Sequence, residues 1–123
     1  MLVCIAGKNN IGVEVLEYLY EHCHDRYDLC VVCNKTETGE NGWQRSLRLR
    51  AGQLGIRECA LADLYEVEDL MFLSTEFDRL IKTGLFRTQR LYNIHFSLLP
   101  AYKGMYTSAE PILNSEKSAG VTL

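Results

Sequence analysis

Residues 2–12 read Leu-Val-Cys-Ile-Ala-Gly-Lys-Asn-Asn-Ile-Gly and join an apolar run to a turn that is flanked by glycines. The run Leu2–Ala6 has the length and composition of a buried central strand. Beyond the turn, Ile11, Val15 and Leu19 recur every four residues, which predicts an amphipathic helix. A strand, a glycine-flanked loop and an amphipathic helix in this order form the opening of a Rossmann-like unit.

The rest of the chain repeats this alternation of apolar runs and helical or polar segments. Four further strands are predicted, at Leu29–Cys33, Ile56–Ala60, Leu70–Ser74 and Leu91–His95. A helix is predicted to begin near Trp43 and to extend to Leu54, with Gly55 placed to end it. Trp43 is expected to be a packing residue of this helix. A short helix is predicted over Tyr106–Leu113, and Gly120–Leu123 begins another strand. The pattern indicates an α/β fold, a mostly parallel Rossmann-like sheet with helices on both faces.

The composition limits the kinds of partner. The 123 residues fit one domain, and 47% apolar and 24% charged residues are typical of a globular protein. The net charge of −3 gives no broad attraction to nucleic acid. Because the first residues do not resemble a signal peptide and no apolar run approaches membrane-spanning length, no membrane partner is predicted and a reducing cytoplasm is expected.

Cysteine and histidine residues offer two candidate metal or redox sites. Cys30 and Cys33 have the spacing of a redox pair or half a zinc site, but on a strand their thiols would face opposite sides, which favours core thiols. His22, His24 and Asp25 lie too close together in sequence to share one helical face, which favours a solvated helix end. No metal is therefore predicted.

Two features could bind an anion. In the loop Gly7–Gly12, Asn9 stands where a dinucleotide fingerprint needs its second glycine, so that motif is absent. Exposed amides at the start of the helix, with Lys8 beside them, still favour an anion, and a purely structural turn is the alternative. The chain's main basic patch is either a solvated face or a contact to a substrate phosphate. It consists of Arg45, Arg48 and Arg50.

The fourth predicted strand ends in a polar turn, where α/β sheets bind ligands. Glu76 and Asp78 in this turn have the spacing of a catalytic carboxylate pair. The alternative is that both are surface carboxylates with Arg79 as their ion-pair partner, and the sequence favours this alternative.

The fifth predicted strand contains two side chains that could take part in a reaction. Asn93 and His95 share one face of a strand, while Ile94 and Phe96 on the other face can anchor it in the core. An amide donor beside a titratable ring suits chemistry on a carbonyl group, because one polarises the oxygen and the other moves a proton. The alternative is a buried Asn and His that are satisfied by backbone groups. Pro100 prevents a simple continuation of the strand.

The segment Asn93–Gly104, Asn-Ile-His-Phe-Ser-Leu-Leu-Pro-Ala-Tyr-Lys-Gly, resembles the signature of the folate-dependent formyltransferases. That family includes the glycinamide ribonucleotide, methionyl-tRNA and sugar N-formyltransferases. The continuation Lys103–Ser108 looks most like the sugar N-formyltransferase branch, which acts on dTDP- or UDP-linked amino sugars. The resemblance thus implies 10-formyltetrahydrofolate as cosubstrate and a nucleotide-linked amino sugar as acceptor, in the setting of lipopolysaccharide O-antigen biosynthesis.

The resemblance also implies roles for individual residues. Asn93 and His95 are expected to be catalytic. The residues expected at the folate are Ser74, Glu76, Phe77, Asp78, Ser97, Leu98, Leu99 and Pro100. Those expected at the sugar nucleotide are Lys8, Asn9, Lys103, Tyr106 and Thr107, and for the last three an ordinary loop and helix start is the alternative.

Residues 1–123 are interpreted as one N-terminal, folate-binding domain of such an enzyme. In this family a catalytic aspartate follows the strand that begins at Gly120–Leu123, and a C-terminal part completes the substrate pocket and often a homodimer; neither is present in this sequence. Two alternatives stay open. The acceptor could be glycinamide ribonucleotide or methionyl-tRNA, or the chain could be a binding module without turnover.

Overall fold

The structure, a computed structural model, describes residues 1–104 and 107–123. The described strands are β1 (Leu2–Gly7), β2 (Asp28–Cys33), β3 (Arg57–Glu58), β4 (Leu70–Thr75) and β5 (Leu91–Ile94). The described α-helices are α1 (Asn9–Cys23), α2 (Leu47–Gln53) and α3 (Glu110–Leu113). Short 3-10 helices span Leu61–Leu64 and Thr83–Leu85.

The five strands form one sheet in the order β3-β2-β1-β4-β5. β1 pairs in parallel with both β2 and β4, and β2 pairs in parallel with β3. The chain therefore builds outward from β1 in one direction and then in the other, which places a topological switch point between β1 and β4. In open α/β sheets, ligands bind beyond the carboxyl ends of the strands at this point. The predicted mostly parallel Rossmann-like sheet is confirmed.

Two buried apolar clusters lie on opposite faces of the sheet. One joins Ile5 and Val31 to the inner sides of α1 and α2. The other joins Cys30 and Phe72 to the 3-10 helix that ends at Leu64. Both faces are thus covered, one by α-helices and the other by 3-10 segments. Among the described residues, no helix combines the length and the apolar character that crossing a bilayer requires.

The start of α2 differs from the prediction. The helix begins at Leu47, and the side chain of Trp43 is 92% exposed, so the expectation that Trp43 packs in the interior is wrong. The start is set by Ser46, whose hydroxyl accepts the N–H of Leu49 at 3.0 Å as an N-cap. The end is as predicted, because Gly55 adopts a φ of +71°, which favours glycine.

The chain divides into two compact units, Met1–Tyr92 and Asn93–Leu123. In the second unit, α3 begins only at Glu110, with Pro111 in its first turn, while Tyr106 lies outside the described residues. The strand predicted at the end of the chain is a single antiparallel bridge between Thr122 and His95.

Ile94 and Phe96 do not anchor the motif as expected. Both are only partly buried, and neither belongs to the two core clusters. The reason lies in the strand order, since β5 is at the edge of the sheet and has a neighbouring strand on one side only.

Candidate functional site

In the first unit, the backbone is tightly constrained where β1 and β4 end. A Cβ atom on Gly7 would lie 1.9 Å from the carbonyl oxygen of Thr75, so only glycine fits there. Asn9 and Glu76 follow these strand ends, and both adopt positive φ values, 62° and 52°. The Asn9 side-chain amide donates to a Glu76 carboxylate oxygen at 2.8 Å. Strained backbone of this kind occurs often at functional sites.

Asn34, directly after β2, holds the turn that follows β4. Its side chain is buried, and its Nδ2 donates to the carbonyl oxygen of Glu76 at 2.8 Å. Its Oδ1 accepts the N–H of Asp78 at 3.3 Å. Its own backbone N–H donates to the Gly7 carbonyl at 3.1 Å. One residue thus links the ends of three neighbouring strands.

Both carboxylates of this turn, Glu76 and Asp78, form hydrogen bonds or ion pairs with other residues. Asp78 forms an ion pair with Arg79 at 3.1 Å and accepts the N–H of Lys35 at 2.6 Å. The Arg79 guanidinium also lies over the ring of Phe77, 4.5 Å from its centroid. The ion pair expected for Asp78 is present, whereas Glu76 bonds to the neutral amide of Asn9. The arrangement favours surface carboxylates that shape the turn over a catalytic pair.

The other predicted ligand residues of this unit differ in exposure. Ser74 is buried, and its hydroxyl donates to the carbonyl of Tyr92 at 3.2 Å, which links β4 to the start of β5. Lys8 occupies the N-cap position of α1 without a capping hydrogen bond from its side chain, and it is partly exposed. Phe77 packs against the core cluster around Phe72.

The basic patch is neutralised by carboxylates of the chain itself. Arg45 and Arg50 both contact Glu17 of α1, at 3.0 and 2.6 Å, and Arg48 contacts Glu58 at 2.7 Å. Since each guanidinium is already paired, the structure favours the solvated face over the phosphate contact.

The candidate metal and redox residues stack on aromatic rings or pack in the core. The His22 and His24 rings stack on Tyr18 and Tyr20 of the preceding helical turn. Among residues 1–104 and 107–123, no group of three or more His, Cys, Asp or Glu side chains is arranged to hold a metal ion. The Cys30 and Cys33 thiols lie in opposite core clusters, as predicted, and burial raises the pKa of Cys33 to about 12, so this thiol stays protonated.

In the second unit, His95 is fixed by the loop that follows it. Its Nε2 lies 2.7 Å from the carbonyl oxygen of Tyr102. Because a carbonyl oxygen can only accept, Nε2 must carry the proton, and in the neutral ring Nδ1 keeps the lone pair. Asn93 is exposed on β5, two residues before His95. The imidazole is therefore oriented as a proton acceptor at a defined nitrogen.

The loop after His95 is held by hydroxyl groups. Ser97 is buried and donates to the Ala101 carbonyl at 2.8 Å, and Thr122 donates to the Ser97 carbonyl at 2.7 Å. The apolar residues that follow remain open, with Leu98 and Leu99 52% and 46% exposed. An exposed apolar surface on a hydrogen-bonded loop suits a flat aromatic ligand.

The remaining predicted residues of this unit are placed separately. Pro100 and Lys103 are exposed, and the Leu99–Pro100 peptide bond is cis. Thr107 is buried. Tyr106, expected at the sugar nucleotide, lies outside the described residues.

Three residues that organise these loops were missed by sequence reasoning. Asn34 carried a usable signal, a polar residue directly after a buried strand, where ligand sites occur. Tyr102 adopts a φ of +54° and binds His95 through its carbonyl, and only its position in the aromatic-basic-Gly motif drew notice. Thr122 carried no signal, since its role depends on a bridge to a strand far away in sequence.

No protein-family model and no curated protein matches this chain. Among solved structures, it is 42% identical to WlaRD, a sugar 3N-formyl transferase crystallised in the presence of dTDP and 5-N-formyl-THF, with a TM-score of 0.92. It is 44% identical, with a TM-score of 0.91, to the N-formyltransferase from Helicobacter canadensis in complex with folinic acid and dTDP-3-aminofucose. These matches cover 99% of this chain but 44% and 46% of the two structures.

A more distant likeness supports the fold alone. The phosphoribosylglycinamide formyltransferase from Bacillus halodurans is 19% identical over 99% of this chain and 70% of its own, with a TM-score of 0.69. The resemblance to sugar N-formyltransferases is confirmed by the two structures that are 42–44% identical over 99% of this chain.

Proposed function

We propose that this chain is the folate-binding N-terminal part of an enzyme that transfers a formyl group from 10-formyltetrahydrofolate to the amine of a nucleotide-linked amino sugar. The observation that carries this proposal is identity of 42–44% over 99% of the chain with two sugar N-formyltransferases. One of them was crystallised with dTDP and a formylated folate, and the other with folinic acid and a dTDP-linked amino sugar. A dTDP-linked amino sugar is therefore the proposed acceptor.

Asn93 is the proposed oxyanion stabiliser. The sugar amine attacks the formyl carbon, and negative charge develops on the formyl oxygen as the new C–N bond forms. The exposed amide of Asn93 on β5 donates a hydrogen bond to that oxygen. Donors aimed at a developing charge lower the barrier more than they stabilise the ground state.

His95 is the proposed proton acceptor. The attacking amine must lose a proton once its nitrogen has bonded to the formyl carbon, and the bond from that carbon to the folate nitrogen then breaks. The Tyr102 carbonyl holds the proton of His95 on Nε2, so Nδ1 is the nitrogen that takes the amine proton. The departing folate nitrogen finally receives a proton, which restores the neutral imidazole.

Each unit has its own proposed ligand-contacting residues. In Met1–Tyr92, the turn at 76–78 is proposed to contact folate, and Lys8 and Asn9 the sugar nucleotide. In Asn93–Leu123, the loop at 97–100 is proposed to contact folate, and Lys103 the sugar nucleotide. Constrained backbone at Asn9 and Glu76 and the open apolar surface of Leu98 and Leu99 support these assignments.

The whole enzyme is proposed to contain more than this chain. The chain spans less than half of the two sugar N-formyltransferases described above. A C-terminal part is proposed to supply the catalytic aspartate, the rest of the sugar pocket and a homodimer contact. We place the enzyme in the cytoplasm, in O-antigen synthesis, without nucleic acid or membrane partners.

Two other functions remain as competitors. A glycinamide ribonucleotide or methionyl-tRNA acceptor has weaker support, because the glycinamide enzymes are only 18–19% identical to this chain. A binding module without turnover is the second, because the share of the relatives' length that this chain covers is less than half.

The decisive experiment is an assay of the full-length protein with 10-formyltetrahydrofolate and dTDP-linked amino sugars, with the other two acceptors in parallel. We expect turnover with the amino sugars, and Asn93→Ala should lower kcat about 10²–10³-fold because one oxyanion donor is lost. The matched control is Gln89→Ala, which removes an exposed amide shortly before the same strand.

Each alternative has its own outcome in this assay. Turnover with another acceptor alone would reassign the substrate, and folate binding without any turnover would leave a binding module. Wild-type kcat in Asn93→Ala, with the Gln89→Ala control also unchanged, would remove Asn93 from the mechanism.

A further inference from the structure

We infer that Asn34 is a positioning residue that fixes the backbone of the turn 76–78 in the shape that receives the folate. This inference rests on the proposed function, which assigns that turn to the folate. No role for Asn34 follows from the motif at 93–104, since it lies on a different strand end.

The Asn34 side chain forms hydrogen bonds with two backbone groups of the turn. Glu76 offers a carbonyl oxygen, which only accepts, and Asp78 offers an N–H, which only donates. These partners fix the amide orientation, with Nδ2 towards Glu76 at 2.8 Å and Oδ1 towards Asp78 at 3.3 Å. Because the residue is 1% exposed, water cannot replace either partner. A side-chain amide supplies the donor and the acceptor on two separate atoms, as these two partners require.

The position of Asn34 in the sheet gives this contact its importance. β2 and β4 lie on opposite sides of β1, so the side chain reaches across the end of β1, at the switch point of the sheet. The Asn34 backbone N–H is bonded to Gly7, the last residue of β1. Through Asn34, hydrogen bonds therefore connect the turn after β4 to the ends of β1 and β2, at the place where such sheets bind ligands.

The turn needs external support. Glu76 has a φ of 52°, a conformation that is unfavourable for a non-glycine residue. The two groups held by Asn34 flank Phe77, whose backbone N–H and C=O form no hydrogen bond to any described residue. Asn34 thus stabilises the strained neighbours and leaves the Phe77 peptide groups presented to a ligand.

The test uses Asn34→Asp and Asn34→Ala in the full-length protein. Asn34→Asp keeps the size and the acceptor but replaces the donor to Glu76 with a carboxylate oxygen, and it serves if Asn34→Ala does not fold. Calorimetric titration with 5-formyltetrahydrofolate should show affinity at least about tenfold weaker, because a buried donor or acceptor is left unpaired. Affinity for dTDP should stay within about twofold, and the KM for 10-formyltetrahydrofolate should rise more than kcat falls.

The matched control is Thr88→Val. Thr88 is also buried and donates to the Leu70 carbonyl at 2.7 Å, at the opposite end of β4 from the turn. This variant should lower the melting temperature without weakening folate binding. Hydrogen exchange at the Asp78 amide supplies a readout without ligand, and exchange should become faster in Asn34→Ala but not in Thr88→Val.

The outcomes separate this inference from the proposed function. If the wild-type protein binds 5-formyltetrahydrofolate and the Asn34 variants bind it equally well, the inference is overturned and the proposed function stands. Equal weakening for folate and dTDP would show a general structural role and also overturn it. No folate binding by the wild-type protein would overturn the proposed function itself, and with it the folate role of Asn34, whatever the exchange at Asp78 shows.

Discussion

Gly7 shows how a single residue brings two strand ends close together. Its missing side chain lets the Thr75 carbonyl approach to within 1.9 Å of the position that a Cβ would occupy. Gly7→Ala should therefore destabilise the protein by about 4 kcal/mol or more, because backbone on both sides would have to move. Thermal or urea unfolding of the variant measures this loss.

Gly52→Ala is the control for that substitution. Gly52 lies inside α2, and a Cβ there meets nothing within 4 Å. The change should stabilise the protein by about 0.5–1 kcal/mol, since alanine is the better helix former. Equal stability of Gly7→Ala and wild type would contradict the close approach of β1 and β4.

At the residue scale, the sequence indicated which side chains have suitable chemistry but not which residues they contact. Asn93 and His95 stood out because an amide and an imidazole two residues apart on a strand suit carbonyl chemistry. Asn34 did not, because its partner Glu76 is 42 positions away and the contact exists only once β2 and β4 flank β1. Side-chain contacts between distant loops leave no periodic trace in the sequence.

At the scale of elements, α1 and the start of α2 are joined by an ion-pair cluster. The carboxylate of Glu17 in α1 forms ion pairs with both Arg45 and Arg50, and the side chain of Glu17 is only 21% exposed. The hydrogen bond from Arg45, and to a lesser degree that from Arg50, holds the pKa of the Glu17 carboxyl below its ordinary value. The unfolded chain lacks these partners, so the carboxylate form stabilises the folded state.

A pH dependence follows from that lowered pKa. The stabilisation is complete above the unfolded pKa of about 4.3 and is lost as the pH falls through the folded value. Glu17→Gln should therefore be less stable than wild type near neutral pH, and the difference should shrink between about pH 5 and pH 3. Urea unfolding across this range measures it.

Glu21→Gln is the matched control, because Glu21 is exposed on the same helix and has no ion pair with any described residue. Its unfolding free energy should follow the wild type at each pH. A constant difference between Glu17→Gln and wild type at all pH values would show that the Arg contacts contribute no electrostatic stability.

Elements with strong apolar patterns were predictable and elements set by polar contacts were not. β1, β2, β4 and α1 appear close to where apolar runs and four-residue repeats placed them. The start of α2 was misplaced because the repeat counted Trp43, whereas the Ser46 cap determines where the helix begins. The apolar repeat defines the buried stripe of a helix but not its first residue.

At the scale of the whole molecule, the two units differ in how much apolar surface they bury. Met1–Tyr92 contains both core clusters. In the described part of Asn93–Leu123, the buried residues are Ser97, Thr107 and Pro111, while Ile112 and Leu113 are 78% and 81% exposed. A unit of fewer than about 40 residues rarely buries enough apolar surface to be stable alone.

This difference predicts uneven hydrogen exchange in the 123-residue chain. Amides of β1, β2 and β4 should exchange only through near-global unfolding, because β1 and β2 contribute side chains to both clusters and β4 contributes to the cluster around Phe72. Amides of 93–123 should exchange through local opening. Mass spectrometry of peptides from each unit measures this, and the same peptides from the full-length protein are the comparison. Slower exchange of 93–123 in the longer protein is expected, since the proposed C-terminal part would cover Ile112 and Leu113. Equally slow exchange in both units of the short chain would mean that hydrogen bonds such as Thr122 to Ser97 stabilise the loop after His95 without further burial.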